Sequence, residues 1–251
     1  MDLGRVECLI AAMSEGVVFL LIFAVAAVIG LFAWLSWKQE KERTEAMAVL
    51  ARRLKWTFSG QEKDRRFDGR YAQFGCFQRG HSRYAHNQMR GMIACRGREV
   101  EAEAGDFHYK ITRSNGKTTS TTTYRFSYFL VKLPWGARMP SLALRTEGFM
   151  DKLAGAIGFE DIDFESAEFS RRYHVGSSDR KFAFAVLHPQ MIDWMLNEPP
   201  PVFEVTRGVL LVVSAGDRWE PAGFQRSLGW AEAFFERWPD YLVKDLDVRR
   251  V

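Results

Sequence analysis

The hydrophobic pattern of the chain changes period twice, and each change marks a different kind of element. The first stretch, "VVFLLIFAVAAVIGLFAWLSW" (17–37), is apolar on every side, with 21 residues and no charge. At about 1.5 Å of helical rise per residue it is long enough to cross a hydrocarbon core of roughly 30 Å. A cleavable signal peptide would carry a shorter apolar core, about 7–15 residues, behind a basic start. Here the preceding segment is weakly acidic, and Trp34 and Trp37 mark an interfacial end. Residues 17–37 are therefore expected to form a transmembrane helix behind a short tail, 1–16, in which Met13 of "MSEG" offers an alternative start.

The period then becomes helical and amphipathic. In "KQEKERTEAMAVLARRLKW" (38–56), Met47, Leu50 and Leu54 recur on one face, while acids and bases alternate on the other. Residues 38–57 thus predict a juxtamembrane helix that lays one apolar stripe on the following domain. There are too few heptads for a coiled coil.

From about residue 70 the period is two. "DFHYKIT" and "TTYRFSYFLVKL" flank Asn115-Gly116, a pair suited to the positive-φ positions of a tight hairpin. Tyr124, Phe126, Tyr128 and Leu130 share one face of the second run, and Pro134 ends it. Shorter strands are expected at Phe74–Phe77 and Met89–Cys95. "LRTEGFMDKLAGAIGF" (144–159) reads as a helix with Phe149, Leu153, Ala156 and Ile157 inward and Gly158 as its stop. Ser178 or Asp179 caps the next helix. Pro189 opens another, and the prolines at 199–201 forbid its extension. "VFEVTRGVLLVVSAGD" predicts a hairpin about Arg207-Gly208, and "AGFQRSLGWAEAFFERW" an amphipathic helix with Phe224, Leu228, Ala231 and Phe235 inward. Runs of strands with helices set between them, and no βαβ alternation, give an α+β class. Residues 58–251 are read as a mainly antiparallel sheet domain with helices packed on it, with a candidate subdivision near 158–168.

Composition agrees with a globular domain: 47% apolar, 26% charged. Three cysteines without a CxxC pair argue against a disulfide framework or a cysteine zinc site. Lys38, Lys41, Arg43, Arg52, Arg53 and Lys55 follow the apolar span, and Arg5 alone precedes it. The positive-inside rule places the N-terminus outside and the domain in the cytoplasm. Residues 1–37 hold one arginine against three acids, so the chain's formal +4 leaves +6 for the remainder. That excess suits an anionic leaflet but is too small to argue nucleic-acid binding.

Three constellations could carry chemistry. In "FEDIDFESAEFSRRYHV" (159–175), read as extended, Ile162 and Phe164 point one way and Asp161, Asp163 and Glu165 the other. Clustered carboxylates can hold a hard cation or share acid–base work. Yet there is no glycine bend for a Ca²⁺ loop, and a solvent-facing strand has the same pattern. In "RGHSRYAHNQMRGMIACRGR" (79–98), Arg79, Arg83, Arg90, Arg96 and Arg98 stand with Tyr84 and no acid. Such a set can grip phosphate, or it can neutralise the acidic 160–168 stretch. Asp106 and His108 share a strand face at spacing two, but two ligands fall short of the three a catalytic zinc takes. No metal centre or cofactor is expected. No nucleophile motif, phosphate loop or dinucleotide fingerprint occurs.

The stretches "ERTEAMAVLARRLKWTFS", "HNQMRGMIACRGREVEAEAGDFHY", "TTTYRFSYFLVKLP", "LALRTEG" and "DIDFESAEFSRRYHVGSSDRKFAFAVLHPQMIDWML" resemble a group of uncharacterised bacterial single-pass membrane proteins. That resemblance implies a bacterial inner-membrane protein with a β-rich cytoplasmic domain, and it carries over no activity or catalytic residue. The first functional expectation is a membrane-anchored binding domain: a scaffold, sensor or accessory subunit. Its candidate face is Arg79, Arg83, Tyr84, Arg90, Arg96 and Arg98, toward anionic lipid headgroups or a protein partner, with nucleic acid disfavoured. The alternative is a membrane-bound hydrolase or transferase using Asp106, His108, Asp161, Asp163 and Glu165, which must then converge in one cleft. An outward-facing domain is the third reading, to be exposed by labelling Cys76 and Cys95 from outside intact cells.

Overall fold

The computed structural model describes residues 15–146, 160–214 and 218–248. It divides into two compact units, residues 1–46 and 47–251. One helix, α1 (Glu15–Leu54), begins in the first unit and ends in the second. From Val18 onward it is long and apolar enough to cross a membrane by length and composition. Phe19, Ile22, Phe23, Ile29 and Phe32 are all exposed along it. At the polar end of this stretch Lys38 and Lys41 lie over the rings of Trp34 and Trp37, each 5.5 Å from the centroid. Such cation–aromatic pairs suit an interface between apolar and wet surroundings.

The second unit is α+β. Its nine described strands are β1 (Thr57–Phe58), β2 (His81–Cys95), β3 (Arg98–Ser114), β4 (Thr119–Lys132), β5 (Leu142–Thr146), β6 (Glu160–Asp161), β7 (Tyr173–Ser177), β8 (Val202–Thr206) and β9 (Val209–Val213). They form one sheet in the order β1-β2-β3-β4-β9-β8-β5-β7-β6, antiparallel at every junction. The β3–β4 turn has Gly116 at φ +83°, and Asn115 Oδ1 accepts from the amides of Lys117 (3.1 Å) and Thr118 (2.9 Å). The β8–β9 turn has Arg207 and Gly208 at φ 51° and 72°, the two left-handed positions of a tight hairpin.

Period-two alternation splits the apolar residues between two cores. Phe129, Val131, Phe203, Val205 and Val212 face the first. There they meet the helices α4 (Arg180–Val186), α5 (Pro189–Asn197), α6 (Pro221–Glu236) and α7 (Asp240–Val248), with Met47, Leu50 and Ala51 from the last turns of α1. Tyr128, Leu130, Val202, Leu211 and Val213 face the second core. It is closed by a short cover, α2 (Phe67–Arg70) and the 3₁₀ turn Gly75–Gln78. Phe67 and Phe77 sit in edge contact there, 4.9 Å between centroids.

Three local expectations change. Phe74–Phe77 is not a strand: the Phe77 amide bonds the Phe74 carbonyl (3.1 Å), and the turn sends both rings into the second core. Leu144–Thr146 are not helical but end β5, held between β7 and β8. The rest of that expected helix, 147–159, lies outside the described residues. The 159–175 segment is extended only at first. Ile162 and Phe164 are buried while Asp163 and Glu165 are exposed. Ser166 Oγ then accepts from the Phe169 amide and starts α3 (Ala167–Arg172). Glu168 in its first turn and Arg171 and Arg172 in its last match the helix dipole. Of the two cap candidates Asp179 serves, accepting from the Phe182 amide, and Pro189 opens the next helix as expected, with the His188 ring, not foreseen as a cap, accepting from the Met191 amide.

Candidate functional site

Two bulges in β2 lie beside a broad cleft. Register shifts fall between His81 and Tyr84 and between His86 and Met89, with Ser82 and Asn87 at positive φ. The loop 59–66 fastens to this irregular edge. Ser59 N bonds Gln88 O (2.9 Å), Asn87 N bonds Gly60 O (2.6 Å), and Asp64 pairs with Ala85 in both directions. Between that loop, α2, β2 and β3 lies a cleft of about 970 Å³. Gly91 on its wall has no room for a Cβ, which would come within 2.1 Å of the Trp56 ring. The glycine thus lets that indole lie against β2.

Glu103 of β3 is the hub of the floor. Its Oε2 accepts from Tyr71 Oη (3.1 Å), and its Oε1 from Gln88 Nε2 (2.6 Å), Arg90 Nη2 (3.1 Å) and Tyr128 Oη (3.5 Å). Beside it Asp64 binds Arg70 at 2.5 Å and lies 3.8 Å from Arg90. Burial pushes the Asp64 carboxyl up, but Arg70 and the Arg66 amide outweigh that and hold it below its ordinary value. Burial, then the Glu103 charge, drives the Tyr71 and Tyr128 phenols far above theirs. Neither phenol can trade protons near neutrality. On the lining loop Lys63, Arg65 and Arg66 are exposed beside Glu62 and form no ion pair among the described residues, with Lys63 lying over the Tyr84 ring at 5.1 Å.

A second polar cluster lies on the opposite face of the sheet. Asp106 is fully buried. It accepts from Ser127 Oγ (2.8 Å) and Asn87 Nδ2 (3.2 Å), with Arg218 Nη1 at 3.7 Å. Ser127 Oγ in turn accepts from the Trp219 amide (2.9 Å), so this network ties the chain after β9 to the sheet. His108, two residues on, stacks on Tyr84 at 4.4 Å. Burial lowers its pKa, and the nearby Arg125 and Lys110 lower it further against the Ser82 carbonyl.

The sequence-derived candidates are dispersed. Asp106 and His108 do share a face of β3, but Asp161 ends β6, six strands across the sheet, and Asp163 and Glu165 follow it. At about 4.8 Å per strand that is roughly 29 Å, so the structure does not bring the two groups into one cleft. The arginines are likewise separate. Arg83 binds Asp68 (2.7 Å) and the carbonyls of Gln78 and Gly80. Arg90 sits in the cleft. Arg96 binds the carbonyls of Glu236 and Trp238 and the Asp240 carboxylate. Arg98 holds Asp247 through two bonds, 2.9 and 2.8 Å. Arg79 is half-buried near Tyr109. Arg83 and Arg96 are about 40 Å apart along an extended strand, each with its own local partners. Their acids are Asp68, Glu103, Asp240 and Asp247 rather than the 160–168 stretch. Sequence reasoning missed Tyr71, Gln88 and Glu103. "EVEAEAG" places three glutamates on one strand face, and only the distant α2 cover singles out the last.

No protein-family model matches the sequence, and no curated protein matches it. Among solved structures, the fold is similar to the crystal structure of the mycobacterial trehalose monomycolate transport factor A, TtfA. The TM-score is 0.54 at 12% identity, over 78% of this chain and 96% of that one. At that identity the likeness is one of fold.

Proposed function

We infer that this chain is a membrane-anchored accessory subunit of a bacterial inner-membrane transport assembly, with its α+β unit in the cytoplasm. In this reading the cleft above Glu103 docks an acidic segment of a partner protein. The observation that carries it is the division of charge in the cleft. A small-molecule site usually converges a few polar groups on its ligand. Here the floor groups satisfy one another, while Lys63, Arg65 and Arg66 are exposed beside Glu62 on the loop that lines the cleft, three cations to one acid. An excess of one charge at a rim steers and selects a partner of the other. Tethering both partners in one membrane raises their effective concentration, so modest affinity suffices. The fold shared with a transport factor favours an accessory role over catalysis.

The test is purification of the full chain from its native membranes, comparing wild type with Arg65→Glu/Arg66→Glu. An Arg171→Glu/Arg172→Glu variant is the charge-matched control. A partner retained by wild type and the control and lost from the cleft variant supports the reading. Equal retention by all three rules out the cleft.

A further inference from the structure

The β3–β4 hairpin runs on after its neighbours stop. β2–β3 pairing reaches only His81–Lys110, and β4–β9 pairing only Tyr128–Val213. β3 and β4 continue together to Ser114–Thr119. Five residue pairs from Lys110–Thr123 outward thus form a two-stranded ribbon, about 15 Å long at ordinary strand rise. Isolated ribbons are marginal in water. This one is braced by the Tyr109–Tyr124 stack (5.0 Å) and by a polar row, His81 Nε2 to Thr112 Oγ1 and Thr112 Oγ1 to Thr121 Oγ1, both 2.9 Å.

The chemistry of the ribbon is one-sided. No acid occurs between Phe107 and Thr146, while Lys110, Arg113, Lys117 and Arg125 lie in or beside the hairpin with eight serines and threonines between 112 and 123. None of these four cations forms an ion pair among the described residues. By register, His108, Lys110, Thr112, Thr121, Thr123 and Arg125 share one face. The lowered pKa of His108, due first to burial and then to Arg125 and Lys110, agrees with a positive local potential.

We propose that this face of the ribbon, centred on Lys110 and Arg125, rests on the phosphate headgroups of an anionic bilayer. Unpaired cations beside hydroxyl donors match phosphate chemistry. Single-stranded nucleic acid would need open aromatic faces on which to stack bases. Here Tyr109 and Tyr124 cover each other, and Tyr84 is covered by His108, with Lys63 over its ring at 5.1 Å. The helix long enough to cross a membrane keeps headgroups permanently within the chain's reach.

The test places the full chain in nanodiscs of neutral phosphatidylcholine and measures co-flotation with vesicles of 30% phosphatidylglycerol. Wild type should bind these vesicles, release them as salt rises, and ignore pure phosphatidylcholine vesicles. Removing one cation near the surface should weaken binding about fivefold, so Lys110→Ser/Arg125→Ser should lose roughly 25-fold. Both positions are solvent-accessible, and an unchanged melting temperature checks that the variant folds. Arg171→Ser/Arg172→Ser, with the same charge change elsewhere, should bind like wild type. Absent binding, an equal loss in that control, or an unaffected Lys110→Ser/Arg125→Ser variant would overturn the proposal. So would displacement by inorganic phosphate beyond chloride of equal ionic strength, or by a single-stranded oligonucleotide.

Discussion

Tyr71 and Glu103, 32 residues apart in sequence, meet in a buried 3.1 Å hydrogen bond that ties the α2 cover to the sheet. Tyr71→Phe removes one of several donors to that carboxylate and should cost about 1 kcal/mol. Glu103→Ala strips the acceptor from Tyr71, Gln88 and Arg90 together, and should cost about 2–4 kcal/mol by leaving buried donors unmet. Urea unfolding of the two variants checks the ranking. Equal losses would contradict the hub role of Glu103.

Glu204 carries a pH dependence. It is 2% exposed, its Oε1 accepts from Thr206 Oγ1 (2.9 Å), and its Oε2 meets no donor among the described residues. Burial raises its pKa against the opposing pull of Thr206 and Arg145. Below the ordinary glutamate value both folded and unfolded chains hold the proton, so there is no penalty. As pH rises through about 4.3 the unfolded chain ionises first, and stability falls until the folded pKa is passed. Glu204→Gln should therefore melt higher than wild type at pH 7, with a gap that shrinks toward pH 4. A gap independent of pH would show that ionisation plays no part.

Cys76 and Cys95 are buried free thiols. Burial lifts Cys95 to about 12 and Cys76 well above its ordinary value. Since the thiolate is the nucleophile, iodoacetamide at pH 8 should modify neither until the domain unfolds. Rapid native-state alkylation of either, read by mass spectrometry, would contradict this packing. These thiols are accordingly unsuited to reporting which side of the membrane the domain occupies. Lys117→Cys on the exposed hairpin is the better probe, and a cytoplasmic domain leaves it unlabelled by an impermeant maleimide on intact cells.

Arg96 and Arg98 separate a structural arginine from a surface one. Arg96→Ala removes bonds to the Glu236 and Trp238 carbonyls after α6 and should cost about 1–3 kcal/mol. Arg98→Ala breaks an exposed pair with Asp247 and should cost under about 1 kcal/mol. Thermal melts decide, and the reverse order would mean the α6–α7 junction is held otherwise.

The sequence was most legible where geometry is local. Gly116 and Arg207-Gly208 mark hairpins because a left-handed backbone is needed there, Asp179 marks a helix start because its side chain meets a first-turn amide, and Pro189 marks another because its fixed φ suits the first helical position. The alternation from Tyr124 to Leu130 gave the buried face directly. The cover at 67–78 was not legible, since closely spaced aromatics suit a strand as well as a turn packed onto one. The site was least legible. Arg96 and Arg98 find their partners 142 and 149 residues away, and Glu103 differs from Glu101 only in what folds over it. Long-range pairing, not composition, decided which charges are structural.

The docking role of the cleft is tested most directly by a photoreactive residue in place of Arg65, in the full chain, irradiated in intact cells. The account predicts a discrete protein crosslink from position 65, lost when Lys63 and Arg66 are reversed to glutamate and absent when the probe replaces Arg171. Crosslinks equally strong from position 171, or only lipid adducts from position 65, would contradict it.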